Sequence, residues 1–590
     1  MFQVNDDTTR ALRDILFDRC FDTVHAPVRA AVEELKDSAE SGLSPTERGR
    51  RSYEQLRQVL ARLGSSRRVA EDLPTLFALF EWSAVGAPDL FPVLSGHLNL
   101  TVGALLRLGT NTPDQRAALA DLENAQHVGV FLLTELGYGS NVAELKTEAV
   151  WEPASRTFLL HTPRGEAVKF MPNVAAEGIP KITVVAARLK VAGRDEGVFP
   201  FLVRLRDEQG TTPGIQVFPM PDKGFTAMDN AMIRFDRVRV PHGAWLTGRI
   251  AAIGEDGVFT SVVGRRGDRF HRTIEQLQAG RTALAAGTVA AARAGLWLTV
   301  RYGQQRRTAN GRTMLDRDNV AQPLASGTAS ILAAGALANQ VKRQFVDSRS
   351  TAPELALLAM LAKPLLSGTA LSVLQECRER CGAQGVFRAN RLTDYLGITQ
   401  AVITAEGENQ VLRVSAGRAL MTRPQASTVL APPPASDRPE TLLYLREQAL
   451  LRRPWPGSPG LRAMALADTA AVRLAAAALG EQAARRPGRA GDILRIHSEL
   501  YAWERVAENA AWYAAEGVLP AERAADMHAR TAELRQAAAS VLPQVTESFG
   551  FRPGIPGSLF SEDYVHAWLT EAGWSPFDDT RVAGNATQEA

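Results

Sequence analysis

Three stretches of this sequence hold residues whose type and spacing could do chemistry. ITAEGENQVLRV, at 403–414, places two acids, Glu406 and Glu408, around Gly407 at the head of a helical run. A carboxylate there could take a proton from a ligand, with Gly407 letting backbone approach it closely. The same residues also suit a plain helix N-terminus, where the dipole favours acids. FLLTELGYGSN, at 131–141, runs a strand into a turn containing Gly137 and Gly139. Such a turn can aim backbone N–H groups at a cofactor ring or phosphate, or can be an ordinary hairpin. RYGQQRRTANGR, at 301–312, is rich in arginine. It suits a phosphate-bearing cofactor or a solvated helix face.

The elements that must position these residues change texture along the chain. Residues 1–130 have apolar residues at three- and four-residue spacing and read as helix, with a start at Ser44-Pro45 ahead of Glu47. Residues 131–245 hold short β-rich runs separated by Gly, Pro, Asn and Asp, about seven strands of a sandwich or small barrel. Helical texture returns over 246–422, with a long Ala-rich stretch from 274 to 307 and helices expected at 320–345, 353–382 and 400–421. Residues 423–440 form a Pro-rich linker, with prolines at 432, 433 and 434. Residues 441–590 are again helical, ending in a tail from 575 expected to fray. The expected fold class is α+β, mostly α.

Composition narrows the function. A chain of 590 residues implies three or four domains. With 67 basic and 64 acidic residues, no nucleic-acid partner is expected. Cys377 and Cys381 share a helix face and read as small buried thiols; with Cys20 they build neither a disulfide framework nor a metal site. No run of 18 uninterrupted apolar residues suggests a membrane span, and no secretory signal or Ser-Lys-Leu ending is read, so a cytoplasmic enzyme is expected.

Taken in order, these segments resemble one family, the acyl-CoA oxidases and dehydrogenases, and the oxidases most closely. TELGYGSN resembles the family's flavin-contacting turn. DNAMIRFDRVRVP (229–241) is similar to its last β-domain strand and RYGQQRR to a helix end. ECRERCGAQGVFRANRLTDYLGITQAVITAEGENQVL (376–412) resembles a Cys-Gly-Gly turn followed by Glu-Gly-Glu-Asn. The resemblance covers roughly 75–422. It implies an N-terminal helical domain, a central β domain, a C-terminal four-helix bundle and a second C-terminal helical domain.

It further implies FAD-dependent α,β-dehydrogenation of an acyl thioester carried by CoA or an acyl carrier protein. Glu406 would take the α-proton, the β-hydride would pass to flavin N5, and O2 would accept the electrons and give H2O2. By motif position, Thr134, Gly139, Ser140, Phe170, Asn173, Gly382, Ala383 and Glu408 would lie along the FAD. Arg306, or Arg307 one residue on, would reach the diphosphate from a neighbouring subunit, implying a homodimer or homotetramer. Gly407 and Arg281 would face the substrate.

KFMPNVAAEG (169–178) departs from the family, with Phe170 and Met171 for two aromatics and Asn173 for a glycine. Ala383 and Gln278 also depart, which points to a specialised substrate rather than routine fatty-acid β-oxidation. Three alternatives share the fold: a dehydrogenase passing electrons to an electron-transfer flavoprotein, a flavin monooxygenase, and a non-catalytic partner subunit without FAD.

Overall fold

A computed structural model of the chain describes residues 6–573, except 36–42, 275–276, 348–350, 427–430, 432–437, 454, 456, 520, 553–554, 556–557 and 561. Most of the expected linker and the whole of the 575–590 tail therefore lie outside the described residues.

Helices begin where the sequence supplies a cap. The Ser44 hydroxyl accepts from the Glu47 N–H at 3.3 Å, and the Glu47 carboxylate accepts from the Ser44 N–H at 2.7 Å. Pro45 occupies the first turn, where a missing N–H costs nothing. The helix Pro45–Leu63 then buries Tyr53, Leu56, Val59 and Leu60.

Strands run from Val128 to Ser261, beyond 131–245 at both ends. The main sheet has the order Val238–Pro241, Thr157–His161, Glu148–Glu152, Lys181–Val191, Arg194–Asp207, Gly210–Thr211; Val128–Leu132 pairs in parallel with Lys181–Val191. A second sheet holds Lys169–Asn173, Asn230–Phe235 and Ile215–Pro219, and a hairpin joins Ala251–Ile253 to Phe259–Ser261. The described residues form twelve strands, not seven. The extra ones are two or three residues long, or, like Lys169–Asn173, lack clean alternation. NAMIRFDRVRVP splits into two strands at Arg237, whose φ is +52°.

One buried apolar core lies under the sheet, including Phe158, Val184, Phe201 and Trp245. A second runs through the helices from Leu12 to Phe560, so helices before and after the β region share one interior. Four helices, Gln278–Gln305, Asp318–Asp347, Ala352–Arg380 and Pro459–Ala484, are long and apolar enough to cross a membrane by length and composition. Each spends at least 61% of its apolar window buried inside the protein. Gly295 shows how closely they approach: a Cβ there would sit 2.7 Å from Leu374. Cys377 and Cys381 are buried in this interface and Cys20 is half-buried, all three as free thiols.

Two local features set up the site. The expected helix over 400–421 is broken into Leu392–Thr404 and Asn409–Thr422. Glu406 (φ +49°) and Gly407 (φ +107°) turn the chain left-handed between them, and neither conformation can continue a helix. The second feature is a π-helical stretch, Ser95–Val102, in the N-terminal helices. His97 fixes it to the first strand: its Nδ1 accepts from the Gly129 N–H at 2.9 Å, so Nε2 carries the proton and reaches Ser66 Oγ at 2.8 Å. Burial pulls this imidazole down to about 3, which keeps it neutral. Gly129 permits the contact, since a Cβ there would lie 2.6 Å from Thr101.

Candidate active site

Glu406 sits half-buried at the turn between two helices, reached from three other parts of the chain. Its Oε1 accepts from Ser95 Oγ at 2.5 Å, and Asn99 Nδ2 lies 3.2 and 3.3 Å from its two oxygens. Its carbonyl accepts from Arg281 Nε at 2.6 Å, and the next carbonyl, Gly407, from Lys363 Nζ at 2.6 Å. Lys363 also donates to Asn409 Oδ1 at 3.0 Å. Two buried cations thus hold the backbone of the turn, while neutral donors hold the carboxylate. Burial pushes the Glu406 carboxyl up to about 7; the Ser95 hydroxyl and the Arg281 charge oppose the rise. Lys363 is pulled down to about 7 by its own burial and by Arg281. A base poised near neutrality is what proton abstraction at physiological pH requires.

Arg281 Nη1 donates to Gln278 Oε1 at 2.9 Å, and Gln278 lines a cavity of about 410 Å³. Leu73, Leu108, Phe199, Leu246, Ala279 and Leu355 supply its apolar wall, with Arg107 and Arg272 beside them. An apolar hollow edged by a few polar groups is the usual form of a small-molecule site; Glu406 does not line this one and is linked to it through Arg281 and Gln278.

The other expected residues fall into two groups. On the β region, the Thr134 carbonyl accepts from the Phe170 N–H at 3.0 Å, joining the Gly-rich turn to the Lys169–Asn173 strand. Thr134 and Phe170 are half-buried; Gly139 (φ +48°) and Ser140 are exposed, with open space around Gly139. Asn173 is buried, its amide donating to Tyr53 Oη at 3.3 Å and its carbonyl accepting from Lys181. A Cβ on Gly96 would stand 3.7 Å from Asn173 Oδ1, so the stretch that holds Glu406 also borders this strand. Glu408 caps Asn409–Thr422, accepting from the N–H groups of Gln410 and Val411.

The second group lies elsewhere. Gly382 (φ +58°) and Ala383 form an exposed turn after Cys381, which touches Thr299 at 3.6 Å near the end of the Leu277–Gln305 helix. Arg306 follows that helix directly, exposed, donating to the Arg307 carbonyl at 2.8 Å. Arg307 in turn donates to the Gly311 carbonyl at 3.2 Å. Arg281 and Arg306 therefore stand roughly 37 Å apart along one helix.

Sequence reading missed Ser95, Asn99 and Lys363. A lone lysine inside the apolar run LAMLAKPLLSG was a usable signal, because a buried ammonium needs dedicated acceptors. For Ser95 and Asn99 the sequence offered none.

Residues 275–421 match the family model for the acyl-CoA oxidase C-alpha1 domain. The chain is 31% identical over 333 residues to a peroxisomal acyl-coenzyme A oxidase 3 of Arabidopsis thaliana, covering 55% of this chain and 49% of that protein. The alignable stretch thus spans about half the length of this relative. Acyl-CoA oxidase 1 of Arabidopsis thaliana superposes with a TM-score of 0.81 at 19% identity, covering 97% of this chain and 95% of that one. An acyl-CoA oxidase of Caenorhabditis elegans, solved with FAD, ascaroside-CoA and ATP bound, superposes with a TM-score of 0.78 at 18% identity, covering 99% and 96%.

Proposed function

We propose, for a chain that is a relative of the acyl-CoA oxidases and has their fold, that it is an FAD-dependent oxidase of acyl thioesters with Glu406 as the base. The observation that carries this reading is the Glu406 carboxyl: raised to about 7, held by neutral donors, and connected through Arg281 and Gln278 to an apolar cavity.

The residues present fit FAD. Space is open beside the left-handed Gly139, and the buried Gln384 Oε1, next to the Gly382–Ala383 turn, has no partner among the described residues. Thr134, Gly139, Ser140 and Phe170 would hold the ring side, and Gly382, Ala383 and Arg306 the diphosphate and adenosine side. Arg281 and Arg306 lie at opposite ends of one helix, and in a homodimer the exposed Arg306 would serve the diphosphate of its neighbour's cofactor. When bound, FAD supplies the hydride acceptor.

Glu406 takes the α-proton of the acyl thioester, and the apolar cavity beyond Gln278 would receive the acyl chain. Arg281 and Lys363 keep the turn left-handed, so that the carboxylate, not the backbone, faces the substrate. The Glu406 N–H, left free of the helices on either side, is available to the thioester carbonyl as charge develops there. An oxidase, rather than a dehydrogenase, is favoured by the helices after residue 438, which superpose within whole oxidase chains. Cytoplasmic placement belongs to this proposal and is checked by cell fractionation, since the Arabidopsis relative is named peroxisomal.

The test is anaerobic bleaching of the purified yellow protein by a series of acyl-CoA and carrier-bound thioesters, followed by admission of air. Bleaching followed by rapid recolouring with peroxide release supports the oxidase. Bleaching that persists in air indicates the dehydrogenase, and a colourless protein that takes up no FAD indicates the partner subunit.

A further inference from the structure

We propose that Ser95 and Asn99 are positioning residues for the base: they hold Glu406 in one rotamer as an ion, and so set the pH at which it can accept a proton. This rests on the reading of Glu406 as the base.

Both side chains come from the π-helical stretch of the N-terminal helices, and both are nearly inaccessible, 7% and 2% exposed. Among the described residues their side chains hydrogen-bond to Glu406 alone, through one hydroxyl and one amide. The surroundings make room for this arrangement. Gly280, on the facing helix, has no side chain; a Cβ there would run into the Asn99 amide and the Glu406 carboxylate. The other groups around the carboxylate are committed elsewhere. Arg281 from Leu277–Gln305 bonds the Glu406 carbonyl and Gln278, and Lys363 from Ala352–Arg380 bonds the Gly407 carbonyl and Asn409. Glu408 is turned to its own helix N-terminus, and His97, on the same stretch as Ser95, to Ser66 and Gly129.

The division has a chemical purpose. A bare carboxylate in this site would be protonated at neutral pH, because burial disfavours the ion. A cation bonded directly to it would hold the ion but make it too weak a base. Neutral donors lie between these limits: they stabilise the ion without removing its basicity. They also fix the side chain from a domain other than the one carrying the turn, so its direction does not depend on the turn alone.

The experiment uses the purified full chain and needs no substrate. The protonated Glu406 carboxyl gives a C=O infrared band, identified by its loss in Glu406→Gln, whose pH midpoint is read by difference spectroscopy. Ser95→Ala is expected to move that midpoint upward by about one pH unit, the scale of one hydrogen bond to an ion. Asn99→Ala moves it in the same direction by less, and Ser95→Thr, which keeps the hydroxyl, returns it to the parent value. Unchanged or lowered midpoints in both Ser95→Ala and Asn99→Ala overturn the proposal. Failure of the reading beneath it looks different: decanoyl-CoA would then bleach the flavin of Glu406→Gln as fast as that of the parent, whatever the midpoints do.

Discussion

Two turns of the molecule each set a glutamate near a buried lysine, and use the neighbours in opposite ways. In the Gly-rich turn, Glu135 and Lys169 are both inaccessible and bonded to each other, Nζ to Oε1, at 3.1 Å. Glu135 also accepts from the N–H groups of Lys146 and Thr147 and from the Thr147 hydroxyl. Every charge there is matched, and the pair pins a turn to a strand. In the 403–409 turn, Lys363 bonds carbonyls and an amide while Glu406 bonds a hydroxyl and an amide. The charges lie close without touching. Pairing makes a buried glutamate structural, and withholding the pair leaves one whose proton affinity sits near neutrality.

The comparison can be broken most severely at Glu406. Glu406→Gln is expected to fold and bind FAD but to lose flavin reduction by at least ~10³-fold, read by anaerobic stopped-flow. Glu135→Gln should do the reverse. It strands the Lys169 ammonium in a dry site, a loss of ~3–5 kcal/mol visible as a lowered Tm, while the protein that remains folded keeps reducing its flavin. A Glu135→Gln protein with parental Tm would show that the two glutamates are not distinguished by pairing.

Lys363→Met removes the donor from the Gly407 carbonyl and the Asn409 amide oxygen and should cost about 1–3 kcal/mol in urea unfolding, together with slower flavin reduction. Smaller still is Arg306→Ala, outside both pairs. It leaves Tm of the apoprotein unchanged and weakens FAD retention by about tenfold, measured as flavin lost on gel filtration.

The pH dependence sharpens the same contrast. With Glu406 as the proposed base, a carboxyl at about 7 predicts that flavin reduction rises with pH through that value. The sign for stability is opposite. A carboxyl raised above its ordinary value contributes fully below about 4.5 and loses that contribution as pH climbs through about 7. Glu406→Gln removes both dependences, and a retained rate limb near 7 in that variant would place the base elsewhere.

Much of this was legible in the sequence because it is local. Gly407 beside Glu406, the strand and turn before Gly139, and the cap at Ser44 are written within a few residues of where they act. The same locality supported two readings of Glu408, as a second acid beside a cofactor and as a helix N-terminus; its hydrogen bonds are those of the N-terminus. What was not legible is what comes from far away. Ser95 and Glu406 are separated by 311 positions, and no spacing rule links a serine in a π-helical stretch to a turn so far along the chain. Asn173 was expected along the flavin because of its place in a motif, yet its amide and carbonyl serve Tyr53 and Lys181, partners from two other elements. The sharing of one core by helices at both ends of the chain was hidden for the same reason.

The left-handed turn at Glu406 and Gly407 depends on segments around 95, 281 and 363 arriving together. Before they meet, residue 406 is an acid like any other on a flexible chain, spent of its proton at any cellular pH and of little use as a base. Its reactivity is therefore conferred by assembly. A newly made or clipped chain carries no prematurely active carboxylate, and a variant that only loosens the docking of the N-terminal helices would lose rate before it lost its shape.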